Sequence, residues 1–275
     1  MTPTSPSYRM PAIDLARLKK QTALLVDQFD HPPALLGRLH EILDYYVNHS
    51  LRTHKTIAQS SNLPTYRTPA VVLQYIETEL SPLAAEHPDK ALSLADELWD
   101  AGYLETRLLA AFLLGCIQPQ EERLLARLTA WTHQIRDPSV RATLLSTSLT
   151  RLRNETPDRF LTLVNEWLHP ARIELWSNGI QALLPLITTP GFENFPPIFE
   201  AVKPVIEVSP PLLQPDIEEL ILALYNTTPM ETIHFLRQIL NNPHNPQALI
   251  TMRRIFPSFP SQLRENLQDL IRSIK

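Results

Sequence analysis

Proline residues divide this chain into blocks of similar length. Apolar residues at helical spacing recur through most of the sequence, and the pattern restarts every 31 to 39 residues, at Pro88, Pro119, Pro157, Pro196 and Pro229. A period of this length is typical of helical hairpins that stack side by side, because a single hairpin cannot bury its own apolar face. The spacing therefore predicts an all-α superhelix, an α-solenoid without a sheet.

The helical periodicity also predicts where the helices lie. Phe160, Leu163, Val164 and Trp167, for example, follow the i, i+3, i+4, i+7 spacing of an apolar helix face. The same pattern predicts helices at 12–29 and 33–49, a loop at 50–68, a third helix from Pro69 that is interrupted around Ser81-Pro82, hairpins at 88–100 with 103–117, 119–135 with 138–153, 157–168 with 171–188, 196–208 with 212–226 and 229–241 with 246–256, and a final helix at 261–273. Residues 1–11 are expected to be disordered, and residues 12–275 to form a single domain.

The composition excludes several kinds of protein. Cys116 is the only cysteine among the 275 residues, so an intramolecular disulfide is impossible and metal sites built on CxxC are absent. None of the nine histidines has another histidine at i+3 or i+4, and the sequence contains no P-loop, GxGxxG, HExxH or GxSxG motif. We therefore expect no metal and no cofactor. No N-terminal stretch has the apolar region of a signal peptide and no apolar run approaches the ~20 residues of a membrane span, so we also expect a cytoplasmic protein without a membrane span.

Charge is distributed unevenly along the chain. The whole sequence carries a net charge of −4, but residues 123–172 contain eight arginines against four acidic residues, a net charge of +4. The flanking stretches are acidic, with net charges of −6 for residues 76–100 and −5 for residues 176–250. Arginine binds phosphate oxygens through its planar fork of donors, so the basic segment indicates phosphate recognition. The candidate DNA-binding arginines are Arg123, Arg127, Arg136, Arg141 and Arg172.

One short motif in this segment has a known structural counterpart. Asp137-Pro138-Ser139-Val140-Arg141 resembles the Asp-x-x-Val-Arg signature that opens the second helix of HEAT repeats. Asp137 is expected to cap that helix, and Arg141, one turn later, to bond acceptors in the neighbouring repeat. A structural ladder and a phosphate contact are both compatible with Arg141. The resemblance implies that the solenoid is HEAT-like.

A longer stretch carries a second resemblance. In residues 94–110, LADELWDAGYLETRLLA, a Leu-Trp pair ends one helix, and a Glu-x-Arg followed by Leu-Ala opens the next. Together with Tyr66-Arg67-Thr68-Pro69 upstream, this pattern resembles the HEAT-like DNA alkylation repair family, the AlkC/AlkD-type glycosylases, over about residues 45–185. The resemblance implies stacked helical repeats that clasp duplex DNA on a concave basic face. It also implies excision of cationic alkylated bases, with aromatic residues and an aspartate near the lesion.

The resemblance assigns only part of the family's site to this chain. Trp131 falls where the family has a cleft tryptophan, which makes it a DNA-binding candidate. The family's catalytic aspartate lies one turn later, at the position of Ile135. The nearest acid is Asp137, a weak catalytic candidate because it is also the expected helix cap. Glu105 and Arg107 match family positions with a structural role.

Three functions are compatible with these features. The first is a non-catalytic or weakly active family member that binds the DNA backbone through the arginines. The others are an active alkylpurine DNA glycosylase that uses Asp137 with Trp131, and a protein–protein interaction scaffold that receives its partner on the concave face. Arginines that converge on the concave face favour DNA, whereas arginines scattered over convex loops favour a scaffold. In each case Trp99, Phe112 and Trp167 are expected to be buried structural residues.

Overall fold

The computed structural model of the protein describes residues 13–47, 61–120, 122–241 and 246–273. Every regular element in these ranges is a helix, and none of the ranges contains a β-strand. The predicted all-α fold is therefore confirmed. The expected disorder of residues 1–11 and most of the expected loop at 50–68 lie outside the described residues.

The chain divides into two compact units. The first comprises Met1–Leu124 and Arg136–Val140, and the second comprises Leu125–Ile135 and Arg141–Lys275. Each unit contains buried apolar side chains of its own helices. A single domain over residues 12–275 stays a prediction.

Five helices lie entirely within the described part of the first unit. They are α1 (Leu15–Val26), α2 (Pro32–Tyr45), α3 (Ala70–Glu86), α4 (Pro88–Asp100) and α5 (Leu104–Cys116). Helix α4 packs along α5, and α3 contacts α1, α4 and α5. The turn between α4 and α5 contains Gly102, whose φ of +76° lies in the left-handed region that glycine tolerates. This turn allows α5 to fold back along α4.

The third helix differs from its prediction at Pro82. An interruption is expected there because proline has no N–H to donate and its ring crowds the preceding turn. In the structure α3 continues through Pro82. Its buried residues Ile76, Leu80 and Ala84 lie on both sides of the proline. Packing of this face against α1 and α5 therefore holds the helix together across the missing hydrogen bond.

The next helices deviate more from their predicted limits. Helix α6 (Glu122–Gln134) begins three residues after Pro119 instead of at it, and the predicted helix at 138–153 is split into α7 (Pro138–Ser146) and α8 (Thr150–Glu155). At the split, the backbone N–H groups of Thr147 and Ser148 both donate to Thr143 O, at 2.8 and 3.2 Å. Helix α9 (Pro157–Trp167) follows, and a 3-10 turn at Ile173–Leu175 precedes α10 (Trp176–Ile187).

The C-terminal part of the second unit continues the pattern of paired helices. It contains α11 (Pro196–Val208), α12 (Gln214–Thr227), α13 (Pro229–Leu240), α14 (Pro246–Ile255) and α15 (Ser261–Ser273), with 3-10 turns at Pro211–Leu213 and Phe256–Ser258. Helix α10 packs on α12, α12 on α13 and α13 on α15, while α11 contacts α13 and α14. Stacked hairpins produce such contacts between elements that are close in sequence.

Proline at the first helical position recurs through the structure. Helices α2, α4, α7, α9, α11, α13 and α14 all begin at a proline. The residue is tolerated there because the first N–H of a helix has no intrahelical partner. Four of the five predicted block starts are therefore confirmed, and Pro119 is the exception because it lies in the turn before α6.

Two of the three aromatic side chains predicted to be structural are buried. Trp99 in α4 is 6 % exposed, and Trp167 in α9 is 1 % exposed. The prediction for Phe112 in α5 is wrong, because its side chain is only half-buried and lines a groove between α3 and α5. It shares a helix face with Leu108 and Gly115, which are half-buried as well.

Two helical glycines are expected to respond in opposite ways to alanine. A Cβ added to Gly179 in α10 would overlap Leu168 Cδ2 and lie 2.6 Å from its Cγ, and Leu168 is buried. Gly179→Ala is therefore expected to destabilise the protein by about 1–2 kcal/mol, the overpacking penalty less the gain in helix propensity. In α2, no described atom lies within 4 Å of the Cβ position of Gly37, so Gly37→Ala is expected to stabilise by about 0.5–1 kcal/mol. Thermal unfolding followed by circular dichroism measures both variants, and shifts of the same sign would contradict the close approach at Gly179.

Candidate nucleic-acid interface

The predicted DNA-binding arginines lie in several different environments. Arg136 and Arg172 are exposed, and Arg127 is half-buried in α6. Arg123, in the first turn of α6, is exposed, and its guanidinium forms an ion pair with Asp89 of α4. Arg123 and Arg136 belong to the first unit and the others to the second. Their convergence on one face therefore stays a prediction.

Arg141 takes part in a ladder of hydrogen bonds inside the second unit. Its Nε donates to Asn178 Oδ1 of α10 at 2.8 Å, and a terminal nitrogen donates to Ser177 Oγ. Asn178 is 4 % exposed, and its amide nitrogen donates to Thr132 O of α6 at 3.4 Å. The ladder links α6, α7 and α10. The prediction that Arg141 bonds acceptors in the neighbouring hairpin is confirmed.

Two further arginines of the basic segment are bound within the protein. Arg151 Nε donates to Glu155 Oε1 at 2.5 Å, and an Arg151 terminal nitrogen donates to Glu155 Oε2 at 3.0 Å. Arg153 is 9 % exposed and donates to Ser146 O at 3.4 Å, and its burial lowers the pKa of its guanidinium. The net charge of +4 for residues 123–172 therefore overstates the positive charge available to a ligand.

Trp131 lies on the apolar face of α6, and Ile135 follows directly after the end of that helix, with its backbone N–H donating to Trp131 O at 2.9 Å. Trp131 and Ile135 are each 6 % exposed, and Leu128 on the same face is fully buried. The expected aromatic wall of a base-binding cleft is thus a tryptophan with little accessible surface. No carboxylate stands one turn beyond it, because Ile135 occupies that position.

Asp137 is a buried helix cap. Its Oδ1 accepts hydrogen bonds from the backbone N–H groups of Ser139 and Val140 at 3.0 and 3.1 Å, which confirms the predicted capping of α7. Its Oδ2 accepts a third hydrogen bond, from the Asn62 N–H at 3.1 Å. The side chain is 3 % exposed. Both carboxylate oxygens are therefore occupied by backbone donors.

A second buried carboxylate organises the 61–69 segment, the stretch that leads into α3. Glu105 in the first turn of α5 is 2 % exposed. Its Oε1 accepts from Thr65 Oγ1 at 2.7 Å and from the Thr68 N–H at 3.4 Å, and its Oε2 accepts from the Tyr66 N–H at 3.2 Å. The donors lie on both sides of Arg67 in the chain, and Arg67 is a non-glycine residue with a φ of +58°. Glu105 therefore has the structural role that the resemblance implied.

Arg107 also has a structural role. Its Nε donates to Trp99 O at 3.3 Å, and its guanidinium carbon lies 5.0 Å from the centre of the Trp99 ring. The contact joins the end of α4 to the start of α5. The Glu-x-Arg motif thus stabilises one helical hairpin and the segment that precedes it.

An aromatic cluster that was not predicted from the sequence lies beside this segment. The Tyr66 and Tyr103 rings are stacked with centroids 4.9 Å apart, and His40 meets Tyr103 edge-on at 5.3 Å. The Tyr66 hydroxyl is hydrogen-bonded to His40 Nδ1. Burial lowers the pKa of His40 and raises the pKa of Tyr66 to about 12, so both groups favour their neutral forms. The three residues are far apart in sequence. Tyr66 and Tyr103 lie in the two stretches that carry the family resemblance, whereas His40 belongs to neither.

A family model described as DNA alkylation repair enzyme matches residues 69–254 of this sequence. The match runs from the start of α3 nearly to the end of α14 and covers more than half of the chain. The protein belongs to this family. No curated protein and no solved structure matches the sequence.

The match to the DNA alkylation repair family reaches further towards the C-terminus than the resemblance at 45–185. It includes α11 to α13 completely, so the acidic C-terminal hairpins are covered as well as the basic middle. Among the described residues, no group of three or more His, Cys, Asp or Glu side chains is placed to hold a metal ion. No helix in the described ranges is long and apolar enough to cross a membrane.

Proposed function

We propose that this member of the DNA alkylation repair family binds the backbone of duplex DNA and does not excise bases. The observation that supports this most directly is Ile135, which stands one turn after Trp131, where the resemblance implies a catalytic aspartate. An aliphatic side chain cannot stabilise the positive charge that develops on the sugar as a base departs. Both residues are also only 6 % exposed, so neither presents much surface to a base.

Asp137 does not replace the missing carboxylate in this proposal. To approach a nucleic acid, its side chain would have to leave the N–H groups of Ser139, Val140 and Asn62 without an acceptor. Loss of a helix cap alone costs about 1 kcal/mol, and each buried donor left unsatisfied costs about 1–3 kcal/mol. The Asp137 carboxylate is therefore expected to stay bound to these N–H groups and not to reach a nucleic acid.

Backbone binding is assigned to the arginines whose guanidinium groups are exposed. Arg136 and Arg172 are exposed, and Arg123 contributes as well, since an exposed ion pair such as Arg123–Asp89 is weak enough for a phosphate to replace the aspartate. Arg141 acts through its ladder to Asn178 instead. With about 2–4 phosphates neutralised, the logarithm of the association constant is expected to fall with the logarithm of salt concentration with a slope of about −2 to −4. Such binding is weak and independent of sequence.

Fluorescence anisotropy with a labelled duplex tests the arginine assignment. The double variant Arg136→Glu/Arg172→Glu is expected to lower the association constant at least about tenfold and to reduce the magnitude of the salt slope by about 2. Lys19→Glu/Lys20→Glu in α1 is the matched control, because it makes the same change in net charge on two exposed side chains. Equal losses in the two double variants would show that binding follows net charge and not the basic segment.

An excision assay tests the absence of catalysis. Purified protein incubated with alkylated duplex DNA is expected to release neither 7-methylguanine nor 3-methyladenine above the rate without protein. Release that disappears in a folded Asp137→Asn variant would overturn the proposal and establish the glycosylase alternative.

A protein-binding scaffold is the second candidate, favoured by the apolar surface of the second unit. Leu212 is 93 % exposed and Met230 is 75 % exposed, in the acidic stretch at 176–250 with its net charge of −5. Single exposed apolar residues are common, but here they lie in a stretch whose net negative charge is unfavourable for binding DNA. Absence of duplex binding at low salt, with the fold intact, would favour this candidate over the first.

A further inference from the structure

A cavity in the second unit has a lining unlike the basic segment. Its volume is about 960 Å³, and it lies between the start of α11 and the start of α13. This volume falls within the range of sites for small organic ligands, about 300–1,000 Å³. The lining residues are mostly apolar or acidic and include Phe192, Glu193, Phe195, Phe199, Met230 and Glu231.

Aromatic rings form one wall of the cavity. Phe192 meets Phe195 edge-on with centroids 5.1 Å apart, and Phe199 lies 4.8 Å from Phe235. Phe195 and Phe235 are buried, whereas Phe192 and Phe199 are partly exposed. The buried rings of Phe195 and Phe235 therefore pack behind the partly exposed rings of Phe192 and Phe199. The face of an aromatic ring carries partial negative charge.

Two carboxylates lie at the same cavity. Glu193 and Glu231 are both exposed, and the lining contains one histidine, the exposed His234, but no lysine or arginine. Glu231 is in the first turn of α13 and accepts a hydrogen bond from Thr228 Oγ1. That bond holds the pKa of Glu231 below its usual range, so the group is ionised at neutral pH.

We propose that this cavity binds an organic cation with an apolar body, either an ammonium or a guanidinium group on an aromatic or aliphatic frame. The phenylalanine rings and Met230 receive the apolar body, and the ring faces together with Glu193 and Glu231 attract the positive charge. A neutral ligand of the same shape keeps the apolar contacts but loses the attraction to the rings and carboxylates. The site is independent of the DNA-binding proposal, because it uses none of the same residues.

Methyl NMR of methionine-labelled protein tests the proposal. Met230 is 75 % exposed at the cavity and Met252 is fully buried in α14, so one methyl group reports binding and the other serves as an internal reference. The probes are 2-phenylethylammonium and its neutral counterpart 2-phenylethanol. The cation is expected to shift the Met230 signal and to bind about tenfold more tightly than the alcohol.

Charge-neutral variants identify the groups responsible. Glu193→Gln/Glu231→Gln is expected to reduce the preference for the cation to about twofold, while binding of the alcohol stays unchanged. Glu200→Gln in α11 is the matched control, since Glu200 is exposed on the same unit and does not line the cavity. A second arm uses the capped peptide acetyl-Phe-Lys-amide, and its binding in place of the free amine would identify a basic side chain as the source of the cation. Equal binding of cation and alcohol, or an unchanged preference in the double variant, would overturn the proposal.

Discussion

Alanine in place of Trp167 is expected to lower the free energy of unfolding by about 3–5 kcal/mol. The side chain is 1 % exposed, and it lies on α9 beside Phe160, Leu163 and Val164, all of which are buried. Removing the indole leaves a cavity that a close-packed helical face cannot fill. Urea unfolding followed by far-UV circular dichroism measures the loss.

Leu212→Ala provides the control for Trp167→Ala. Leu212 is 93 % exposed in the 3-10 turn before α12, so its truncation is expected to change stability by less than about 0.5 kcal/mol. Wild-type unfolding of Trp167→Ala would show that this tryptophan is not a core residue.

Replacement of Glu105 by alanine is expected to destabilise the protein by about 2–4 kcal/mol, because hydrogen bonds to a buried charged acceptor contribute about 1.5–3 kcal/mol each and are not additive. The change removes the acceptor of Thr65 Oγ1 and of the N–H groups of Tyr66 and Thr68. These bonds lie on both sides of Arg67, so their loss removes much of the support for its left-handed backbone, which has a φ of +58°. The 61–69 segment is therefore expected to lose its conformation.

Hydrogen exchange separates this local effect from general destabilisation. The amides of Tyr66 and Thr68 are expected to exchange faster in Glu105→Ala than in the wild type, while buried amides of α13 keep their protection. Glu86→Ala, at the exposed end of α3, is the control and is expected to leave the Tyr66 amide unchanged. Unchanged exchange at Tyr66 and Thr68 in Glu105→Ala would contradict the role of this carboxylate.

Much of the secondary structure could be predicted from local sequence. Helices α4, α9, α11 and α13 begin at the predicted prolines, and α15 spans the predicted residues 261–273. These limits depend on propensity and on capping within one turn. Pro82 shows where prediction from local sequence fails. Proline is expected to interrupt a helix, but the packing of α3 against α1 and α5 keeps this helix continuous.

The candidate site was less predictable. Arg123, Arg136 and Arg172 were identified from composition and are exposed, but composition did not distinguish them from Arg153, which is buried. Trp131 was assigned from a resemblance, and its burial follows from the apolar face of α6. The cavity at α11 and α13 was not predicted at all, since phenylalanines in helical sequences are usually core residues.

The sequence by itself determined the all-helical fold, the starts of most hairpins and the absence of a carboxylate at position 135. Each of these depends on residues within a few positions of one another. Only the tertiary structure decided what the charged groups do, because their partners are distant in the chain. Asp137 binds Asn62, 75 residues away, Glu105 binds Thr65, 40 residues away, and Arg141 binds Asn178, 37 residues away. A charge acquires a structural role or stays available to a ligand according to such contacts, and short-range patterns do not contain them.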